Sequence, residues 1–185
     1  MTRQLRDEPR VLDVACGPGD LTRFTANLLD DNAFAIGLDD SAFVIKRAAR
    51  ANRHPRAVYM RAEPAQLPFN DRTFDAVCCF AGLNRVPDPD AALSEMVRVL
   101  APGGSIAVLA SHGGETPFLR RALEFCARSG GTRTFDRNTV TAAMTSAGLT
   151  DIEQQLRGMS QFVTARRPES ANQLDAWRVH RRAPR

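Results

Sequence analysis

"VLDVACGPGDLT", residues 11–22, decides how the rest of the chain is to be read. Val11, Leu12 and Val14 make a short apolar run, Gly17 and Gly19 fall in the turn that follows, and a helical pattern opens at Asp20. A strand that enters a helix through a glycine turn is one way for a chain to cradle a nucleotide-like ligand, because the turn lets backbone approach the ligand closely. A plain tight turn needs the same residues, so the segment alone is weak evidence.

Working outward, short apolar runs alternate with amphipathic stretches. "RVLDVA", "AFAIGLD", "AVYMRA", "FDAVCCF" and "SIAVLAS" read as five strands. Between them a helix from about Asp20 to Leu29 is expected to bury Leu21, Phe24, Thr25 and Leu28 on one face. Ser41 is a candidate N-cap for a second helix through about Arg50. "DAALSEMVRVL" reads as a helix stopped by Pro102-Gly103-Gly104. Residues 117–128 and 136–147 also look helical, and "TDIEQQLR" with "SQFVTARR" makes a terminal hairpin. The pattern specifies an α/β fold: a Rossmann-like, doubly wound, mostly parallel seven-stranded sheet with an antiparallel edge hairpin and helices on both faces. Ligands of such sheets sit outside the carboxyl ends of the strands. The expected organisation is an extension over 1–9, a domain over 10–167 and a basic, mobile tail over 168–185.

Composition narrows the class. The chain has 185 residues, 43% of them hydrophobic, and no apolar run near the roughly 20 residues that a membrane-spanning helix needs. "MTRQLRDEPR" has no apolar stretch to serve as a secretory signal. Cys16, Cys78, Cys79 and Cys126 lack metal-ligand spacing, which suits free thiols in a cytoplasmic protein with no metal site. The net charge is +4, yet residues 1–165 hold 19 basic and 19 acidic side chains, which leaves the excess in residues 166–185. That distribution counts against a nucleic-acid partner, whose basic patch belongs beside the active site.

Asp39 closes the second strand, where a carboxylate can accept hydrogen bonds from ribose hydroxyls, as both NAD and S-adenosylmethionine sites require. The turn separates these two ligands. Thr22 stands where a dinucleotide fingerprint wants its third glycine, and Asp20 in the first helical turn would repel a diphosphate. Asp13 is an acid inside an apolar strand and must be hydrogen-bonded, most simply to backbone N–H groups of the turn it precedes.

Four segments then carry a resemblance: "VLDVACGPGDLT", "AIGLDDSAFVIKRAA", "RAEPAQLPFNDRTFDAVCCFAGLNRVPDPDAALSEMVRVLAPGGSIAVL" and "TSAGLTDIEQQL". In this order they cover about residues 10–167, and the chain resembles the class I S-adenosylmethionine-dependent methyltransferases, closest to the ubiquinone/menaquinone and related small-molecule enzymes. The third segment is specific; the glycine turn alone is not.

The resemblance implies S-adenosylmethionine as cofactor and a role for each matching position. Ala15, Cys16 and Gly17, with Gly19 beyond them, would wrap the methionine end, and Asp13 would orient that turn and approach the cofactor's amino group. Asp39 would hold the ribose and Asp40 would flank the adenine. Glu63 stands where the family usually has the Asp that accepts the adenine amino group. Pro64 follows, and because proline has no N–H to donate the ring contact would shift to Ala65. Phe80-Ala81 would offer a carbonyl to the methionine amino group.

Methyl transfer from a sulfonium is an in-line displacement, for which alignment can supply on the order of 7–11 kcal/mol. A base is needed only if the acceptor must lose a proton, and no triad is present. Asn84 and Arg85 follow the fourth strand, where relatives often read His-His, and His112 follows the fifth; these three are the candidates near the reacting methyl. An exposed loop histidine, and an Arg85 paired with Asp88 or Asp90, are the competing readings. Relatives usually carry more chain before the first motif than this one, so the cover over the site is expected from residues 113–131, hinged at Gly113-Gly114 and Gly130-Gly131, or from a second copy of the chain. The leading reading is a small-molecule methyltransferase whose acceptor is lipophilic or aromatic. The alternatives are a cofactor-binding but non-catalytic subunit, and an RNA methyltransferase, against which "AGLNRVPDP" stands in place of an Asn-Pro-Pro-Tyr-type segment.

Overall fold

In the computed structural model, which describes residues 10–113 and 133–169, the glycine turn joins β1 (Arg10–Val14) to α1 (Asp20–Leu28). There follow β2 (Phe34–Asp39), α2 (Ala42–Ala51), β3 (Ala57–Arg61), β4 (Phe74–Phe80) and α3 (Pro89–Val99). Next come β5 (Leu100–Ser111), α4 (Thr139–Ser146), β6 (Thr150–Arg157) and β7 (Ser160–Arg166). The seven strands form one sheet in the order β3-β2-β1-β4-β5-β7-β6. Strands β1 to β5 pair in parallel, and β7 runs antiparallel to both β5 and β6. Five parallel strands with a terminal hairpin are the architecture that the alternation of apolar runs specifies. Among the described residues no helix is long and apolar enough to cross a membrane.

Strand alternation divides the two faces. Leu12, Val14, Leu38, Val77, Ile106 and Val108 point to the face covered by α3 and α4, and they join Leu93, Met96, Val140 and Met144 in the main core. Each such side chain, taken fully out of water, contributes about 1.5–3 kcal/mol. The start of α3 is capped as its sequence dictates: Asp88 accepts from Ala91 N–H at 3.0 Å and Pro89 fills the first helical position. Its last carbonyls are met from across the sheet, where Arg167 donates to Val97 O at 2.9 Å and Leu100 O at 2.7 Å.

Three expectations change. The buried positions of α1 are Thr22 and Ala26, while Phe24 is 58% and Leu28 70% exposed. The helix lies so close to Gly37 that a Cβ there would come within 2.6 Å of Thr22 Oγ1, which leaves room only for small side chains underneath. Pro102-Gly103-Gly104 lies inside β5 and does not form the stop after α3. The register shifts between Phe74 and Ala76 because the partner strand bulges there, and the helix ends at Val99. The helix expected at 136–147 begins at Thr139. The helix expected at 117–128, the lid at 114–131, Cys126, the extension 1–9 and residues 170–185 of the tail lie outside the described residues.

Candidate functional site

A cavity of about 660 Å³ opens at the carboxyl ends of β1, β2 and β4, where the sheet topology places it. Ala15, Cys16, Gly17 and Pro18 line it from the first strand, Asp39, Asp40 and Ser41 from the second, and Phe43, Val44 and Arg47 from α2. Pro64 follows β3, and Phe80, Ala81, Gly82, Arg85 and Val86 follow β4. The volume is that of a pocket for a cofactor-sized molecule.

The turn that makes one wall is braced from behind. Tyr59 Oη lies 3.1 Å from Gly19 O and 3.0 Å from Asn52 O, and Asn52 Nδ2 donates to Pro18 O at 2.7 Å. Gly19 holds φ +85°, and a Cβ there would sit 2.5 Å from Tyr59 Cε1, so both the backbone angle and the space require glycine. Across the cavity, a Cβ on Gly82 would stand 2.4 Å from Ala15 Cβ. Ala15 and Ala81 hold φ of 55° and 61°, the left-handed region that disfavours any residue with a Cβ. The tips of β1 and β4 thus close on each other through small residues in uncommon conformations, which is how functional sites store strain.

Asp39 is fixed before any ligand arrives. Its Oδ2 accepts from Gly17 N–H at 3.2 Å and its Oδ1 from Ser41 N–H at 3.0 Å. Each oxygen keeps a further lone pair for another donor. Ser41 in turn caps α2, its hydroxyl accepting from Val44 N–H at 3.4 Å. One carboxylate therefore ties the glycine turn to the start of α2 and still faces the cavity.

Asp13 lies beneath this wall, 3% exposed, and does not line the cavity. Thr22 Oγ1 donates to its Oδ2 at 2.6 Å, so its partner is the first turn of α1 and not the amides of the glycine turn. Burial, with a further push from Asp39, raises its carboxyl to about 6 against the hydrogen bonds from Thr22 and Cys78. Burial first, then the charges of Asp13 and Asp39, pushes the Cys16 thiol up to about 12. Burial first, then Asp13, does the same for Cys79. These thiols are not thiolates at neutral pH.

Of the other residues singled out from sequence, Gly19 stands behind the turn, Glu63 is exposed outside the lining, and Ala65 is half-buried outside it. The loop that presents Pro64 is fastened to α3 by Arg98, whose Nη1 reaches Phe69 O and Asp71 Oδ1 at 2.8 Å each, and whose Nη2 reaches Leu67 O at 3.0 Å. Glu95 holds Arg98 Nε at 2.7 Å and accepts from Leu67 N–H at 2.7 Å.

The three residues expected near the reacting centre separate. Arg85 is exposed on the cavity rim with no ion pair to Asp88 or Asp90. Asn84 is 5% exposed; its Oδ1 accepts from Ser111 N–H at 2.9 Å, and its Nδ2 reaches Ser111 O at 3.3 Å as well as Arg133 O. It is a structural clasp. His112 is 2% exposed and does not line the cavity, with Nδ1 2.8 Å from Gly113 O and Nε2 without a partner among the described residues. Sequence reading missed Phe43, Val44 and Arg47. Their 1-2-5 spacing, which puts them on one side of a helix that leaves a strand tip, was the available signal. Nothing in the sequence marks Tyr59 and Asn52 as braces.

Residues 11–104 match a family model described as a methyltransferase domain. The chain is 37% identical over 116 residues to the 2-phytyl-1,4-naphtoquinone methyltransferase of Synechococcus elongatus, a match covering 60% of this chain and 50% of that protein. It is 36% identical over 124 residues to a ubiquinone/menaquinone biosynthesis C-methyltransferase of Teredinibacter turnerae, covering 65% of this chain and 50% of that protein. The chain thus spans about half the length of the curated relatives it matches. A crystal structure of a putative methyltransferase from Bacillus halodurans superposes with a TM-score of 0.74 at 18% identity, over 88% of this chain and 94% of that one, which shows the shared fold. The family match takes in β1, the glycine turn, Asp39, the tip of β4 and all of α3, the elements that build the cavity, and the chain belongs to the methyltransferase domain family.

Proposed function

We propose that the cavity binds S-adenosylmethionine and that the chain transfers its methyl group to a small, lipophilic or aromatic acceptor. The observation that carries this reading is Asp39, held by Gly17 and Ser41 with lone pairs left over, which suits the two hydroxyls of a ribose. The rest of the donor set fits the same molecule. Val44, Phe43 and Pro64 give apolar walls for a purine, and the close-set tips Ala15 and Ala81 admit the narrow methionine chain. Pro64 offers no N–H to the ring.

When bound, S-adenosylmethionine supplies a methyl group already activated on a sulfonium. The chain's task is then alignment and exclusion of water. The braced turn fixes one end of the cavity and Asp39 the middle. Arg85, on the rim and without an ion pair among the described residues, favours an acceptor oxygen that has lost its proton, as in an acidic phenol or hydroxyquinone. The relatives' printed names, which specify naphthoquinone and ubiquinone/menaquinone chemistry, support an acceptor of that kind.

Calorimetry of the full chain with S-adenosylmethionine, and with NAD as control, tests the cofactor. Binding of the first and not the second is expected. Asp39→Ala should weaken binding at least 10-fold, since each charge-assisted hydrogen bond to the ribose is worth about 1.5–3 kcal/mol. Unchanged affinity in that variant would remove Asp39 from the site. Product-based assays on phenols, quinones and amines then identify the acceptor class.

A further inference from the structure

The even charge balance of residues 1–165 conceals a local segregation. Between Asp40 and Glu63 there is no acidic residue, while Lys46, Arg47, Arg50, Arg53, Arg56 and Arg61 all fall there. Arg56 pairs with Asp31 at 2.7 Å, and Arg61 donates to Asp40 O at 2.8 Å. Lys46, Arg47, Arg50 and Arg53 are exposed, and none of them forms an ion pair among the described residues. At about 100° per residue, positions 43, 46, 47 and 50 share one face of α2. Phe43, 76% exposed, is the largest apolar side chain on that face. A shallow groove of about 440 Å³ runs along it between Phe43, Lys46, Arg47, Arg50 and Ala51. Phe43 and Arg47 also line the main cavity, so this face and the cavity mouth adjoin.

We propose that this face of α2 docks the protein on an anionic lipid bilayer, Phe43 entering the acyl boundary and the cations meeting headgroup phosphates. An exposed aromatic ringed by unpaired cations on one short helix face is the arrangement that interfacial binding uses. The patch is one helix long, about 15 Å, and offers one ring, whereas a single-stranded nucleic acid calls for a longer basic track with several stacking platforms. Docked this way, the cavity mouth lies beside the membrane, where a lipophilic acceptor resides; that last consequence alone rests on the function proposed above.

The test is co-sedimentation of the full chain, without cofactor, with phosphatidylcholine vesicles and with vesicles containing phosphatidylglycerol. Binding to the anionic vesicles only, weakening with salt, is expected. The arginines after residue 165 also attract anions, so the deciding comparison is with Lys46→Gln/Arg50→Gln/Arg53→Gln, which spares the cavity. At about 5-fold per cation, this variant should bind roughly 100-fold more weakly, with its circular dichroism and S-adenosylmethionine affinity unchanged. Phe43→Ser should weaken binding while leaving its salt dependence in place. Wild-type protein that ignores anionic vesicles, or a triple variant that binds them equally, overturns the proposal. Polyuridylate that binds more tightly than the vesicles and is lost in the triple variant overturns it in favour of nucleic acid. Loss of cofactor binding with vesicle binding retained would count against the methyl-transfer reading and leave the docking surface standing.

Discussion

At the scale of single residues, Asp13 and Asp39 show what position in a strand does to a carboxylate. Asp39 was legible, since an acid that ends the second strand of such a sheet has a defined place at the cavity. Asp13 was legible as a buried acid needing a partner, but not its partner. Thr22 lies nine positions on, and only the way α1 folds back over β1 brings the two to 2.6 Å. Burial raises the Asp13 carboxyl from 3.8 to about 6. The folded chain therefore holds a proton in that window that the unfolded chain has released. Its contribution to stability is complete below pH 4 and is lost as pH rises through about 6, a change on the order of 3 kcal/mol. Asp13→Asn keeps an acceptor for Thr22 and removes the titration. Urea denaturation from pH 4.5 to 7.5 should show stability falling in the wild type relative to the variant. Parallel profiles would mean that Asp13 titrates alike in both states. His112 and Asn84 illustrate the opposite error, because polar residues just after a strand tip look functional in sequence and are here interior ties.

At the scale of elements, six of the seven strands followed from apolar runs to within a residue or two, while β5 starts five residues before its run, and the capped start of α2 followed from Ser41. What failed was facing. Amphipathic spacing says that one side of α1 is apolar, but the space above Gly37 and Asp13 admits only small side chains and turns Phe24 and Leu28 outward. Pro102-Gly103-Gly104 was misplaced for a related reason, since turn-forming residues also make bulges inside strands. The loop presenting Pro64 is held by one side chain of α3. Arg98→Ala removes its hydrogen bonds to Leu67 O, Phe69 O and Asp71. The expected result is a stability loss of about 1.5–3 kcal/mol and weaker cofactor binding, read by denaturation and calorimetry. A stability loss with full affinity would show that the loop does not shape the cavity.

At the scale of the whole molecule, the mostly parallel sheet with its antiparallel hairpin was legible because alternating strands and helices leave few ways to wind such a sheet. The basic face of α2 was not, because a charge count over a long stretch averages away a segregated helix. One junction governs how the rest can vary. The residues on either side of 114–132 are bound together: Gly113 N–H to Phe135 O at 3.0 Å, Phe135 N–H to Ser111 O at 3.1 Å, Arg133 N–H to Asn84 O at 2.8 Å. Replacing residues 114–132 by a glycine-serine linker of the same length should leave the fold and S-adenosylmethionine affinity intact, because these hydrogen bonds already hold the two ends together. Lost cofactor binding would show that the cavity needs the excised residues. A junction closed in this way acts as a socket: the sheet holds its two ends in register by itself, so that mutations in the sheet and mutations in 114–132 can be selected separately.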